Sequence, residues 1–437
     1  VRACEELRGD SAITFTDRAG VSLVGPAHGT SLLESGCEFC GACIDVCPVG
    51  ALVERDYKWE KAEERISTTC PMCPVGCQLK LEINKRGKVI RVIPELNADA
   101  NHGQACFKGK FGLDFVNNPS RLTSPLIRNN GTLEATTWEA AIAFIAERLP
   151  KYKGDSFATL ASYRGTNEDN YVAQKFTRSV MNTNNVDHSS NTRPQLLQPL
   201  ADSLGYSAAT NPIWDLHGSE CILVAEANVT EEHNVLSVAI KQAALRGSKL
   251  IVIDSREVEL TRYADLWLRP VPGTDATLIG AILRVIFDEV LEDTDFLSSY
   301  GENVDSLRNS VWNFDLARCE AITGVSQDDI RSAARTFAQS GTASIVYALE
   351  TLPDNMVKDC SQALVNLAIV TGNIGKPNTG LYPLRPGTND QGSWDVGCIP
   401  TFPNTADSLG LGLGVKDMFK AIGDGKINAM IITGDSP

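Results

Sequence analysis

Nine of the 13 cysteines fall at or before Cys106: Cys4, Cys37, Cys40, Cys43, Cys47, Cys70, Cys73, Cys77 and Cys106. Cys37, Cys40, Cys43 and Cys47 form C-x2-C-x2-C-x3-C followed by Pro48. Thiolates at this spacing wrap one face of a cuboidal iron–sulfur cluster. Cysteines that close in sequence are poorly placed to pair as disulfides, and structural zinc favours separate C-x2-C knuckles. In two-cluster arrangements of this spacing the fourth cysteine ligates the other cluster. Cys4, in Val1-Arg2-Ala3-Cys4, reads as the tail of a second such run. It is expected to join Cys37, Cys40 and Cys43 around one [4Fe–4S] cluster. Cys47 is expected to serve another cluster, whose remaining ligands would lie upstream of Val1.

A third site is expected at Cys70, Cys73 and Cys77, closed by Cys106. The excursion between them holds two alternating, strand-like runs, Leu79–Ile83 and Lys88–Ile93, joined by Lys85-Arg86-Gly87. An antiparallel pair would bring Cys106 back beside the first three. Lys108, two residues beyond, can set its ammonium near an anionic cluster and raise the potential. Otherwise it is a solvated surface lysine.

These cysteines need elements to hold them. At about 150 residues per domain, the 437 residues suggest roughly three domains. Apolar residues make up 43% and charged residues 22%, as in an ordinary globular chain. With Lys+Arg 40 and Asp+Glu 54, the formal charge is −14 and no basic run stands out, which argues against nucleic acid as a partner. No uninterrupted apolar stretch of about 18 residues suggests a transmembrane span. Absence of Met at the start, and an apolar run just before Gly434-Asp435, point to a chain cut at both ends.

Further on, Cys221–Ala225 reads as a buried strand, a helical stretch runs from about Glu231 to Leu245, and Lys249–Asp254 reads as the next strand. That is a βαβ unit, which favours parallel strands. Ligands bind beyond the carboxyl ends of such strands. The polar residues there are Glu226 and Asn228 after one strand, Asp254 and Arg256 after the next, and Gly434 and Asp435 after Met430-Ile431-Ile432. Gly273 permits close backbone approach, and Asp275 opens a helix through Leu278, Ile279, Ile282, Leu283 and Ile286. Asp275 equally suits a first-turn carboxylate, and Gly372-Asn373 a helix stop. Cys221 reads as core.

Residues 70–109 resemble the 4Fe–4S domain that opens the molybdenum/tungsten bis-pterin oxidoreductases. The module before it resembles those of NAD-linked formate dehydrogenase alpha chains and of the large iron–sulfur subunit of complex I. Val224–His233, Arg269–Asp275 and Asn366–Gly375 extend the likeness along the chain. The fold it implies is α/β with an N-terminal iron–sulfur part. A ferredoxin-like 2[4Fe–4S] module (1–58) comes first, then a small β-rich 4Fe–4S lobe (66–121). Rossmann-like parallel α/β layers of the molybdopterin oxidoreductase core (122–437) complete it. The implied cofactors are three [4Fe–4S] clusters in the intact protein and a Mo- or W-bis(molybdopterin guanine dinucleotide). The implied cofactor contacts are Lys108, Asn228, Asp254, Arg256, Gly273, Asp275, Gly372, Asn373, Gly434 and Asp435, with Asp275 accepting from guanine. The implied partners are flavin/NAD-binding and iron–sulfur subunits and a small anionic substrate such as formate. The implied location is the cytoplasm or the inner face of its membrane.

One segment departs from that pattern. Formate dehydrogenases of this type carry a metal-bound Cys or selenocysteine followed by His. Here the segment is Asn185-Val186-Asp187-His188-Ser189-Ser190-Asn191-Thr192-Arg193-Pro194. Counting forward places the ligand position at Arg193, and counting back from Gly205 places it at Thr192. Arg cannot ligate and stays charged. Candidates for the altered chemistry are Arg193, Thr192 and His188. An oxygen ligand from Ser189, Ser190 or Thr192, a metal without protein ligand, and a vestigial pterin site all stay open. So does a role for Arg193 in anion binding. Two functions follow: a formate-dehydrogenase-type catalytic subunit, or a non-catalytic electron-transfer subunit of an NADH-oxidising complex.

Overall fold

Five short strands with unbroken apolar sequence build the centre of the molecule. Strands buried on both faces read as continuous Val/Ile/Leu runs, and that is how parallel sheets are written in sequence. Their spatial order is Leu266–Leu268, Lys249–Ile253, Cys221–Ala225, Ala343–Tyr347, Gly380–Pro383, all parallel. Cys221 faces Lys249 on one side and Ala343 on the other. The computed structural model describes all residues except 19, 27–28, 57–58, 402–408 and 436–437. The boundary expected at residue 58 therefore lies outside the described residues.

Strand side chains alternate between faces, and each face has its own core. Leu223, Ala225, Ile251, Ile253, Ile345 and Tyr347 pack against the helices Asp275–Asp288, Gln327–Gln339 and Asp354–Val370. The helix Asp275–Asp288 turns Leu278, Ile279, Ile282, Leu283 and Ile286 into that core. Each such side chain stabilises the fold by about 1.5–3 kcal/mol on burial. On the other face, Ile222, Val224, Leu250, Val252 and Val346 meet the helix Asn234–Leu245. Cys70, Cys77, Leu79 and Val92 belong to that same cluster, so the cysteine-bearing lobe packs directly on the sheet.

The lobe is a three-stranded antiparallel sheet, Glu64–Thr69, Gln78–Ile83 and Val89–Pro94. A second parallel sheet orders Ala429–Ile432, Phe157–Ala161 and Val186–His188. Before the lobe come a single π-helical turn, Ala3–Arg8, a hairpin of Ile13–Arg18 with Val21–Pro26, and the short helix Ala42–Asp45.

The helix expected from about Glu231 to Leu245 is two helices, Val229–Glu232 and Asn234–Leu245, broken at His233. His233 leaves the helical region at φ −128° and ψ 48°. Its buried ring reaches out of the helix line to bond the Arg385 carbonyl at 3.1 Å. Among the described residues, no helix is long and apolar enough to cross a membrane.

Candidate redox and cofactor site

Cys4, Cys37, Cys40 and Cys43 line one cavity of about 150 Å³, with Arg8, Asp10 and Phe111 also in its wall. The helical turn Ala3–Arg8 delivers Cys4, the loop before Ala42–Asp45 delivers Cys37 and Cys40, and that short helix itself carries Cys43. All four are free thiols. Burial pushes the Cys40 thiol up to about 11, opposed by the Arg8 guanidinium. A buried thiol resists ionising unless a metal takes the proton's place. Cys47 is not in this wall. Its half-buried thiol is held below the usual range by the backbone N–H groups of Leu52, Val49, Ala51 and Gly50.

Cys70, Cys73, Cys77 and Cys106 are mutual electrostatic neighbours in the lobe. Burial raises Cys70 to about 11 and Cys73 to about 12, and raises Cys77 as well. The Cys70 N–H donates to the Cys77 carbonyl at 2.8 Å, closing the loop between them. Asn101 accepts from the Gln78 N–H at 2.9 Å and donates to the Gln104 carbonyl at 2.7 Å, which returns the chain to Cys106. A Cβ on Gly109 would stand 3.2 Å from the Cys70 sulfur, so a side chain there would crowd the site. Lys108 pairs with Glu232 at 3.3 Å, and its charge opposes the rise of the Cys73 pKa.

A cavity of about 360 Å³ connects this lobe to the altered segment. Met72 and Cys73 wall one side, Ser190, Thr192 and Arg193 the other, with His233, Glu350 and Arg385 between. Thr192 and Arg193 thus both reach the cavity. The Arg193 guanidinium is turned into the fold. It donates to the Leu349 carbonyl at 3.0 Å and the Leu352 carbonyl at 2.5 Å, and pairs with Asp354 at 3.2 Å. Two of its five N–H groups are thereby used by backbone carbonyls, while its buried Nε has no hydrogen-bond acceptor among the described residues. His188 is fully buried, with Nδ1 2.9 Å from the Ser190 hydroxyl, which in turn donates to Asp390. Burial lowers His188 to about 4, so the imidazole is neutral at pH 7.

Beyond the carboxyl ends of the central strands stands a group of acids. Glu226 adopts a left-handed φ of 44° and accepts from the Ser255 N–H at 3.0 Å. Asp254 is closed by Arg256, whose N–H donates at 2.8 Å and whose guanidinium reaches both oxygens at 3.1 Å. Arg256 also pairs with Glu350 at 3.2 Å. Asn228 precedes the helix Val229–Glu232 and accepts from the Thr230 hydroxyl at 3.1 Å. Asp275 differs from these. It is 1% exposed, and apart from the facing Glu226 carboxyl, with which it can share a proton, neither carboxylate oxygen has a hydrogen-bond donor among the described residues. Burial and the facing Glu226 push it up to about 7. Such a buried acceptor fits a ligand that brings N–H donors, as guanine would.

The remaining expected contacts also have partners within the fold. A Cβ on Gly372 would meet the Asp293 carboxylate at 2.3 Å, and one on Gly273 the Met356 sulfur at 3.3 Å. Asn373 accepts from the Ala343 N–H at 2.9 Å and donates to Thr371 at 2.8 Å, tying a helix end to a strand start. The Gly434 carbonyl accepts from the Ser162 hydroxyl at 3.2 Å, and Asp435 accepts from Ser189.

Sequence reasoning missed a buried charge network beside the first cysteine cavity. Arg8, Asp10, Glu38 and Lys241 have side chains between 0% and 6% exposed. It also missed Lys110, buried in the lobe and paired with Asp45 and Glu54 of the preceding module. The spacing of Arg8 from Cys4, one helical turn, was the only local signal.

Comparison with known proteins agrees with this layout. Residues 121–437 match the family model for molybdopterin oxidoreductase, 63–118 the molybdopterin oxidoreductase Fe4S4 domain, and 32–53 the 4Fe-4S binding domain. The chain is 36% identical over 340 residues to the F420-dependent formate dehydrogenase 2 subunit alpha of Methanococcus maripaludis, covering 77% of this chain and 50% of that protein. It is 35% identical over 353 residues to formate dehydrogenase H of Escherichia coli, covering 78% and 49%. Acetylene hydratase from Pelobacter acetylenicus superposes with a TM-score of 0.60 at 25% identity, over 70% of this chain and 43% of that one. The chain spans about half the length of the curated relatives it matches.

Proposed function

The chain belongs to the molybdopterin oxidoreductase family, and from that membership we propose that it is part of a formate-dehydrogenase-type subunit that passes electrons from a Mo- or W-pterin site through [4Fe–4S] clusters to a partner subunit. The observation that carries this reading is the 360 Å³ cavity shared by Cys73 of the Fe4S4 domain and the Ser190–Arg193 segment of the core. When bound, the pterin–metal group supplies the two-electron chemistry. This chain's residues provide its setting. Asp275 would hold the guanine end, with Asn228 and the Asp254–Arg256 pair at neighbouring strand ends. Cys70, Cys73, Cys77 and Cys106 would hold the cluster nearest the cavity. Cys4, Cys37, Cys40 and Cys43 would hold the next, and Cys47 would contribute to a further one. Neutral His188 sits behind Ser190 and keeps that hydroxyl aimed at Asp390.

The acceptor we propose is a flavin- or NAD-handling partner subunit. F420 is the alternative, since three similar proteins are named F420-dependent. A second reading, a non-catalytic electron conduit resembling the large complex I subunit, is favoured by one observation. No sulfur stands at Thr192 or Arg193, and the Arg193 guanidinium is bound to the fold. Elemental analysis of the anaerobically purified full-length protein decides between them. About one Mo or W per chain supports the first reading, and iron without either metal supports the second.

A further inference from the structure

Arg8 touches ligand-bearing segments of two cysteine sites at once. It lines the cavity of Cys4, Cys37, Cys40 and Cys43. Its Nη2 donates to Glu38, between Cys37 and Cys40, at 2.7 Å. Its Nη1 donates to the carbonyl of Ala105, the residue before Cys106, at 3.3 Å, and to Gln104 at 3.1 Å. Nη2 also reaches Asn234 on the core helix. The side chain is fully buried. Lys241, on the same core helix, donates to Glu38 at 2.6 Å and to Asp10. The Tyr263 hydroxyl donates to the Gly9 carbonyl at 2.8 Å, and Gln242 to the Leu7 carbonyl at 2.8 Å. The first module is therefore seated on the core through Arg8 and its neighbours.

We propose that Arg8 is the residue that sets the reduction potential of the cluster held by Cys4, Cys37, Cys40 and Cys43, its fixed cation stabilising the added electron while Glu38 opposes it. This rests on the cluster assignment proposed above. Lys241 and Asp10 complete the network as a compensating pair, so the burial of two cations is offset by two carboxylates. Three charged side chains line the cavity wall, the Arg8 cation against the Asp10 and Glu38 carboxylates, and none is screened by water. An isolated buried cation at that position would be strongly unfavourable. The network makes it tolerable and fixes its place relative to the sulfurs. Electrostatic sensitivity at such a site is high because charge and burial are among the levers on cluster potential.

The test is an EPR-monitored redox titration of the full-length protein at pH 8, comparing Arg8→Gln, Arg8→Lys and Glu38→Gln. Arg8→Gln is expected to weaken electron affinity about tenfold, a fall of about 59 mV for a one-electron couple. Glu38→Gln is expected to shift the same signal upward by a comparable factor. Arg8→Lys, which keeps the charge but loses the fork of bonds, is expected to stay nearer the parent. If Arg8→Gln fails to retain its cluster, the sign of the Glu38→Gln shift decides. Shifts of the same sign in Arg8→Gln and Glu38→Gln, or no shift in Glu38→Gln, would overturn the proposal. Absence of that cluster's signal from the parent protein would instead overturn the cluster assignment.

Discussion

Arg193, in the wall of the 360 Å³ cavity, forms an ion pair with Asp354 at 3.2 Å. The same guanidinium caps the carbonyls of Leu349 and Leu352. Arg193, one of the two residues to which the metal-ligand position was counted, thus ties the altered segment to the start of the helix Asp354–Val370. Arg193→Ala leaves those two carbonyls without this donor, at a cost of about 1–3 kcal/mol. Chemical denaturation should show that loss while iron content stays unchanged. Parent-like stability would mean that this tie is dispensable.

Asp275 carries the opposite expectation. Its carboxylate is buried and, apart from the facing Glu226 carboxyl, has no donor among the described residues. Replacing it by Asn should stabilise the cofactor-free fold by about 1–3 kcal/mol, the scale of relieving an unsatisfied buried group. The same change should reduce the pterin recovered from denatured protein. Stability falling together with unchanged pterin content would show that Asp275 serves the fold and not a ligand.

His188 gives a pH signature. Its folded value, lowered to about 4 by burial, lies below the ordinary 6.5. Between those values the unfolded chain binds the proton and the folded one does not. The contribution of His188 is therefore present above pH 6.5 and lost as pH falls toward 4, with a slope of at most ~1.4 kcal/mol per pH unit. The stability advantage of the parent over His188→Gln should shrink across that window. A pH-independent difference would show that the imidazole titrates alike in both states.

The two cysteine sites should be separable. Cys106→Ala removes one corner of the lobe site, whereas Cys4, Cys37, Cys40 and Cys43 line a different cavity. Loss of one [4Fe–4S] complement of iron is expected, with the EPR signals of the ferredoxin-like module persisting. Simultaneous disappearance of every signal would contradict separate sites.

What could be read from the sequence had a short range. The cysteine runs spoke through spacing, and the helix beginning at Asp275 through the three-to-four-residue recurrence of Leu278, Ile282 and Ile286. The parallel pairing of Cys221–Ala225 with Lys249–Ile253 followed from one crossover. The rest depends on distant partners. Lys241 meets Asp10 across 231 residues, and His233 breaks its helix to reach a carbonyl 152 residues away. No periodicity marks such meetings. Arg193 shows the same limit from another side: its charge was legible, but the carbonyls that take it were not.

On the proposed reading, a metal–pterin group held in the Cys73–Arg193 cavity would feed electrons to the clusters. Anaerobic mixing of formate with the oxidised full-length protein, followed by rapid freezing and EPR, tests it most directly. Reduced [4Fe–4S] signals from formate alone, appearing within turnover time, are expected. Clusters that dithionite reduces but formate leaves oxidised, in protein shown to hold Mo or W, would contradict it.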